Sequence, residues 1–186
     1  GELDQYGISA RGVAINTGLP TPEEFPRFSQ FWLEPTADPQ AVMIYALLDG
    51  PSLTGAYRIQ AIRHERVIME VEAALFFRKD IQRLGVAPLT SMYWFSESNH
   101  QPSWDWRPEV HDSDGLALWT GAGERIWRPI NNPPFVQIST FVDDNPQGFG
   151  LSQRDRNFEN YQDDRVFYER RPTLWVEPLE PWGAGA

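Results

Sequence analysis

The densest group of potentially reactive side chains lies in twelve consecutive residues, 104–115. This stretch contains four carboxylates, a histidine and two indoles: Asp105, Glu109, Asp112, Asp114, His111, Trp104 and Trp106. Glycoside chemistry requires such a combination, because one carboxyl group protonates the leaving oxygen and another activates water. Aromatic rings stack on the apolar face of a sugar. The stretch is therefore a candidate site for sugar chemistry.

The same residues also have other interpretations. Residues 112–115, Asp-Ser-Asp-Gly, are typical of a tight turn, and taken alone they favour a turn over a catalytic loop. A calcium loop is disfavoured, because the glycine and glutamate that such a loop needs at its sixth and twelfth positions are missing. The spacing of His64, His100 and His111 is not that of a zinc site. A Ser-His-Asp catalytic triad is also disfavoured, because the chain contains no GxSxG sequence. We expect neither a metal nor a cofactor.

Two later segments, residues 127–133 and 145–156, concentrate Arg, Asn and Gln around glycines. Planar guanidinium and amide groups make the directional hydrogen bonds that hold sugar hydroxyls. These segments make Arg128 and Arg154 candidate sugar-binding residues. The alternative is that Arg154 and its neighbours pair with nearby aspartates on a solvated face.

Composition sets limits on the function. The chain has 186 residues, of which 41% are hydrophobic and 23% charged, as in a globular protein of about one domain. Lys and Arg total 16 against 26 Asp and Glu, a net charge of −10, so the surface repels nucleic acid and anionic lipid. No apolar stretch is long enough to predict a membrane span, and cysteine is absent. We therefore expect neither binding to nucleic acid nor insertion into a membrane.

The elements that must position these residues are predicted to be strands. Residues 67–77 alternate apolar and polar side chains, the pattern of a half-buried strand. The other predicted strands are 9–16, 42–49, 55–62, 89–95, 116–120, 125–128, 135–142 and 173–176. Helix is limited to short turns at 21–24 and 79–84 and a possible helix at 157–168. The predicted fold is an all-β sandwich with long functional loops.

Seven segments, in order along the chain, resemble the periplasmic glucan biosynthesis protein G/D family. They are residues 10–17, 23–28, 84–92, 107–115, 127–133, 145–150 and 168–172. The resemblance covers residues 10–185, nearly the whole chain, and the ordered set is far more specific than any one segment.

The resemblance implies a galactose-mutarotase-like β-sandwich, of which this chain would be the later part. The family's C-terminal immunoglobulin-like domain would be absent from this sequence. It also implies an inverting enzyme that cleaves or transglycosylates β-1,2-glucan in the periplasm, with the membrane glucan synthase complex as a candidate partner. Asp112 matches the family's general base. Ser113, Tyr168 and Arg171 match positions that relay the proton or hold the reacting sugar.

The chain also departs from the family pattern in two places. The family's general acid lies shortly beyond the equivalent of Ala186, so we expect this chain to be part of a longer protein. Asn16 replaces an Asp that is common in the family. A rival hypothesis is a non-catalytic carbohydrate-binding or scaffold protein. The predicted sugar contacts are Trp94, Trp104, Trp106, Arg107, Glu109, His111, Asp114, Trp127, Arg128, Arg154 and Arg171.

Overall fold

The computed structural model describes residues 7, 9–101 and 105–185. The chain divides into two compact units, an N-terminal unit of Arg11–Pro88 and a C-terminal unit of Leu89–Ala186 with Gly1–Ala10. The strands are β1 (Ser9–Ala10), β2 (Val13–Ile15), β3 (Arg27–Pro35), β4 (Ala41–Asp49), β5 (Leu53–Arg63), β6 (Val67–Phe77), β7 (Leu84–Val86), β8 (Leu89–Thr90), β9 (Tyr93–Phe95), β10 (Val110–His111), β11 (Gly115–Trp119), β12 (Arg125–Pro129), β13 (Asp143–Asp144), β14 (Gly148–Ser152), β15 (Leu174–Val176) and β16 (Ala184–Gly185). The helical elements described are α1 (Phe158–Tyr161) and a 3-10 turn at Tyr168–Arg170. The all-β prediction is confirmed, whereas the finer assignment as a mutarotase-like sandwich stays a prediction.

The N-terminal unit is built on an antiparallel four-stranded sheet in the order β3-β4-β5-β6. One face is apolar across all four strands, because Leu33 pairs with Ile44, Ile44 with Ile59 and Ile59 with Val71. The end of this face nearest Leu48 belongs to a core cluster. That cluster comprises Val13, Ile15, Ala46, Leu48, Leu53 and Tyr57. Farther along, Leu33 and Val71 are exposed.

Strand β3 was not among the predicted strands. All nine of its residues are exposed, so no buried face imposes a period-two pattern on the sequence. Its register also shifts between Phe28 and Gln30, which interrupts the alternation that a sequence would show.

Three other predictions of secondary structure are wrong, and a fourth is only partly right. Residues 135–142 form no strand, and the next strand, β13, begins at Asp143. Within 135–142, Val136 and Ile138 are almost fully exposed. Residues 21–24 and 79–84 form no helical turn. The predicted helix at 157–168 is limited to α1, because Gln162 adopts a left-handed conformation with φ of 52°. High strand propensity at 135–142 does not form a strand without a neighbouring strand to pair with.

The C-terminal unit contains a four-stranded antiparallel sheet in the order β12-β11-β14-β15. Strand β14 approaches β15 so closely that a Cβ on Gly150 would overlap the carbonyl oxygen of Leu174. Separately, β9 pairs with β10, and the core beside this pair consists of Phe95, Val110, Tyr161 and Tyr168. Among the described residues, no helix is long and apolar enough to span a membrane.

Candidate functional site

Asp112 directly follows β10 and is held by two other parts of the C-terminal unit. Its backbone N–H donates to the carbonyl oxygen of Met92 over 2.7 Å. Its Oδ1 lies 2.8 Å from Nε of Arg171, and both side chains are only 17% exposed. The other oxygen, Oδ2, accepts a long contact of 3.4 Å from the N–H of Met92. One carboxylate oxygen is thus paired with a guanidinium, and the other has a weak partner.

Ser113 is buried and lies beside Asp112. Its backbone N–H donates to Oγ of Ser91 over 3.0 Å. Its own Oγ has no hydrogen-bond partner in the part of the chain that the structure describes. A buried hydroxyl of this kind is costly, so it calls for an explanation.

Asp114 organises the backbone of the segment after β14. Its Oδ2 accepts the backbone N–H of Arg154 in a short hydrogen bond and that of Asp155 over 3.0 Å. Its own N–H donates to the carbonyl oxygen of Ser152 over 3.0 Å. The carboxylate therefore already has backbone partners where the sequence predicted a sugar contact.

Glu109 and His111 form a buried pair on either side of Val110. Nε2 of His111 lies 2.8 Å from Oε2 of Glu109, and the imidazole is only 2% exposed. The ring stacks on Tyr93 at 5.5 Å and meets the edge of Tyr161 at 5.2 Å. Burial raises the pKa of the Glu109 carboxyl group, and the carboxylate beside His111 raises the pKa of the imidazole against the opposing effect of burial.

Arg107 is held by two carboxylates. Its Nη2 lies 2.7 Å from Oδ2 of Asp105, its Nε lies 3.0 Å from Oδ1 of the same residue, and its Nη1 lies 2.5 Å from Oδ2 of Asp163. The hydrogen bonds from Arg107 lower the pKa of Asp105 to about 2. The pKa of Asp163 is also lowered, because backbone N–H groups and Arg107 outweigh its burial. The guanidinium therefore ties the loop before β10 to the segment after α1.

Tyr168 and Arg171 lie at the 3-10 turn. The Tyr168 ring is buried, and burial raises the pKa of its hydroxyl. The guanidinium of Arg171 is 5.7 Å from the centre of that ring, and its Nη1 donates to the carbonyl oxygen of Gly7 over 3.1 Å. The backbone N–H of Arg171 donates to the carbonyl oxygen of Tyr168 over 3.1 Å. The turn therefore orients Arg171 towards Asp112.

The predicted aromatic contacts differ in their accessibility. Trp94 is the extra residue of a bulge, because Val110 pairs with Phe95 and His111 pairs with Tyr93. Trp94 is 43% exposed and Trp106 is 71% exposed. Trp104 lies outside the described residues.

The remaining predicted sugar-binding side chains, Trp127, Arg128 and Arg154, lie against each other or against another aromatic ring. The guanidinium of Arg154 lies 4.9 Å from the centre of the Trp127 ring, and that of Arg128 lies 5.5 Å from the centre of Phe141. Cation–π contacts of this kind orient the side chains and cover part of each ring.

The structure brings Asp112, Arg171 and Tyr168 together, and it places His111 and Glu109 beneath them in the interior. Sequence reasoning missed Tyr161, whose edge contacts His111, and Gln153, whose Nε2 donates to the Tyr161 hydroxyl over 2.9 Å. Neither belongs to a local motif with His111, so only tertiary packing reveals them. Within the described residues, no three His, Asp or Glu side chains are placed to hold a metal ion.

Comparison with known proteins gives a consistent result. A family model described as "Periplasmic glucan biosynthesis protein, MdoG" matches residues 1–186. Glucans biosynthesis protein D of Xanthomonas oryzae pv. oryzae is 57% identical to the chain over 187 aligned residues, and glucans biosynthesis protein D of Stenotrophomonas maltophilia is also 57% identical over 187. Glucans biosynthesis protein D 2 of Ralstonia nicotianae is 60% identical over 189. Each alignment covers the whole chain but only 35% of the relative, so the chain spans about a third of their length.

Proposed function

Since the chain belongs to the MdoG family of periplasmic glucan biosynthesis proteins, we propose that its site processes a periplasmic glucan by inverting hydrolysis or transglycosylation of a β-1,2-linked backbone. The observation that carries the proposal is the Asp112 carboxylate, largely buried, oriented by Arg171 and flanked by the hydroxyl-bearing residues Ser113 and Tyr168. The sequence resemblance supplies the linkage and the stereochemistry.

In this proposal Asp112 is the general base. Its Oδ1 is paired with Arg171, which fixes the orientation of the carboxylate. Within the described part of the chain its Oδ2 has only the long contact from Met92, and we therefore assign it as the oxygen that accepts a proton. The hydroxyls of Ser113 and Tyr168 carry the proton from the attacking water to Asp112. The Ser113 hydroxyl has no partner among the described residues, which leaves it available for such a relay.

In this proposal the exposed aromatic rings bind the sugar. Trp94, turned outward by the bulge, and Trp106 offer flat apolar surfaces to a sugar ring. A protein that acts on a neutral glucan also tolerates the net charge of −10, which would repel a polyanion.

An inverting mechanism needs a second carboxyl group as general acid, about 6.5–9.5 Å from the base. Asp105 and Asp163 are committed to Arg107, and Asp114 to backbone N–H groups, so none of these three is favoured for the role. We assign the acid to polypeptide that the relatives possess outside the matched region, consistent with the 35% coverage.

The test is turnover of linear β-1,2-glucan by the natural protein that carries this chain. Asp112→Asn is expected to lower kcat by about 10²–10⁴-fold, because it removes the proton acceptor and keeps the shape of the side chain. Asp164→Asn, at an exposed carboxylate, is the matched control and is expected to leave kcat unchanged. Unaltered turnover in Asp112→Asn would show that the base is another residue.

A second candidate is a carbohydrate-binding protein without catalytic activity. The observation in its favour is that Arg171 already occupies one oxygen of Asp112, since a paired carboxylate can simply accept hydroxyl hydrogen bonds. Glucan retention without released product, insensitive to Asp112→Asn, would support this candidate. Either activity would operate in the periplasm, with the membrane glucan synthase complex as the partner to test.

A further inference from the structure

The buried pair of Glu109 and His111 lies directly before the proposed base, and a direct sugar contact does not account for it. Both residues are largely inaccessible, with exposures of 6% and 2%. A carboxylate and an imidazole removed from water cost free energy unless they bind each other. Their 2.8 Å contact offsets part of that cost. Stability alone does not explain why a buried carboxylate and imidazole are present here, because apolar residues of the same size often stabilise a core equally well.

The imidazole is oriented from three directions. Glu109 bonds its Nε2, Tyr93 of β9 stacks on one face, and Tyr161 of α1 meets it edge-on. Tyr161 is itself fixed, because its hydroxyl accepts a hydrogen bond of 2.9 Å from Gln153. These three contacts hold the ring of His111 in the orientation that the structure shows.

The backbone that leaves His111 is equally constrained. The next three N–H groups, of Asp112, Ser113 and Asp114, donate to Met92, Ser91 and Ser152, respectively. Because Asp112 shares a peptide bond with His111, a change in how the buried His111 side chain packs would shift this peptide and with it the carboxylate relative to Arg171. A displacement of about 1 Å at a catalytic group can lower a rate by about 10²-fold.

We propose that Glu109 and His111 are positioning residues, whose buried hydrogen bond sets the placement of the Asp112 carboxylate. This inference rests on the proposed function, in which Asp112 is the base. The pair acts through Asp112 and does not touch the sugar. Its loss should therefore appear in the chemical step, with little effect on glucan binding.

The decisive variant is the double substitution Glu109→Leu/His111→Phe in the natural protein. It removes the buried carboxylate and the imidazole together, so no charge is left unpaired, and phenylalanine retains a ring between Tyr93 and Tyr161. Folding is expected to survive, with a melting temperature within a few degrees of the wild type. The expected kinetic result is a kcat for β-1,2-glucan lowered by about 10²-fold with KM within about threefold.

Glu109→Gln tests the hydrogen bond separately from the charge. The amide oxygen still accepts from Nε2 of His111, so this variant is expected to recover at least a tenth of the wild-type kcat. A purely structural pair would give the double variant a wild-type kcat per folded molecule, and that outcome would overturn the proposal.

A spectroscopic measurement keeps the inference testable whether or not glucan is turned over. In the wild type, Nε of Arg171 lies 2.8 Å from Oδ1 of Asp112 and both side chains are only 17% exposed, so its Nε–H proton is expected to exchange slowly with solvent in NMR spectra of the arginine-labelled protein. In the double variant the exchange should be at least tenfold faster, because the carboxylate has moved. Unchanged exchange would refute the positioning role. Unchanged turnover in Asp112→Asn, with faster exchange in the double variant, would instead refute the proposed base.

Discussion

Substitution of Arg107 distinguishes two roles for its guanidinium: binding a sugar, or stabilising the fold through an ion pair. The sequence places it among candidate sugar-binding residues, but its guanidinium contacts Asp105 and Asp163 at 2.5–3.0 Å. We predict that Arg107→Met destabilises the C-terminal unit and barely changes the KM for glucan.

The expected size of the effect follows from burial. The side chains of Arg107, Asp105 and Asp163 are 21%, 11% and 8% exposed, so solvent screens them only partly. Removing one partner of a buried ion pair costs about 3–5 kcal/mol, and the residual exposure reduces our expectation to about 2–4 kcal/mol. Two carboxylates would then be left close to each other without a cation.

The assay is urea denaturation of the natural protein, followed by tryptophan fluorescence. Arg107→Met should lower the unfolding midpoint by about 1–2 M. Arg58→Met is the matched control, because Arg58 pairs with Glu72 on an open strand surface where the side chains are 43% and 55% exposed. That change should cost less than about 0.5 kcal/mol. An unchanged midpoint for Arg107→Met, together with a KM raised tenfold or more, would show that the guanidinium binds sugar and would refute the structural argument.

Two further predictions follow from single contacts. Gly150→Ala should destabilise the protein by about 2 kcal/mol or more, because the new Cβ would overlap the Leu174 carbonyl oxygen. Gly185→Ala, where a Cβ would have nothing within 4 Å, should be neutral, and thermal melts of both variants check this. The lowered pKa of Asp105, about 2 in the folded state, predicts stability that is present above about pH 4 and is lost as the pH falls towards 2. In Arg107→Met this contribution is absent, so the difference in stability between the wild type and the variant should narrow as the pH falls from about 4 towards 2; a difference that stays constant over this range would contradict the assignment.

Local sequence patterns predicted the strands in which apolar and polar residues alternate. Strand β6 has the predicted bounds of 67–77, but the prediction that it is half-buried is wrong, because all its residues except Leu75 are exposed. Strands β4 and β5 have half-buried alternation, and their predicted cores at 42–49 and 55–62 agree with the structure. Strand β3 escaped prediction because it is exposed throughout and carries a register shift. Residues 135–142 have strand propensity but pair with no strand among the described residues, and pairing is a property that a single segment cannot reveal.

The candidate site was predictable where its residues lie close together along the chain. The acidic loop contained Asp112 among four carboxylates, and the family resemblance singled it out and added Tyr168 and Arg171. The structure brings Arg171 into contact with both Asp112 and Tyr168. The sequence could not distinguish carboxylates that face solvent from those committed to the interior. Asp114, for example, accepts backbone N–H groups from the segment after β14, a contact about forty residues distant in sequence.

The strand order β3-β4-β5-β6 has a consequence for the time course of folding. Each strand pairs with its immediate successor in the chain, so all contacts within this sheet are local. Sheets with local contacts form faster than those that need distant segments, and we expect this meander to assemble early, as the chain leaves the ribosome. From that moment the apolar row that includes Leu33 and Val71, both of which are also exposed in the structure, would face water, and the sheet would be vulnerable to association with other nascent chains. The speed that local topology confers thus creates an interval in which a chaperone would be useful.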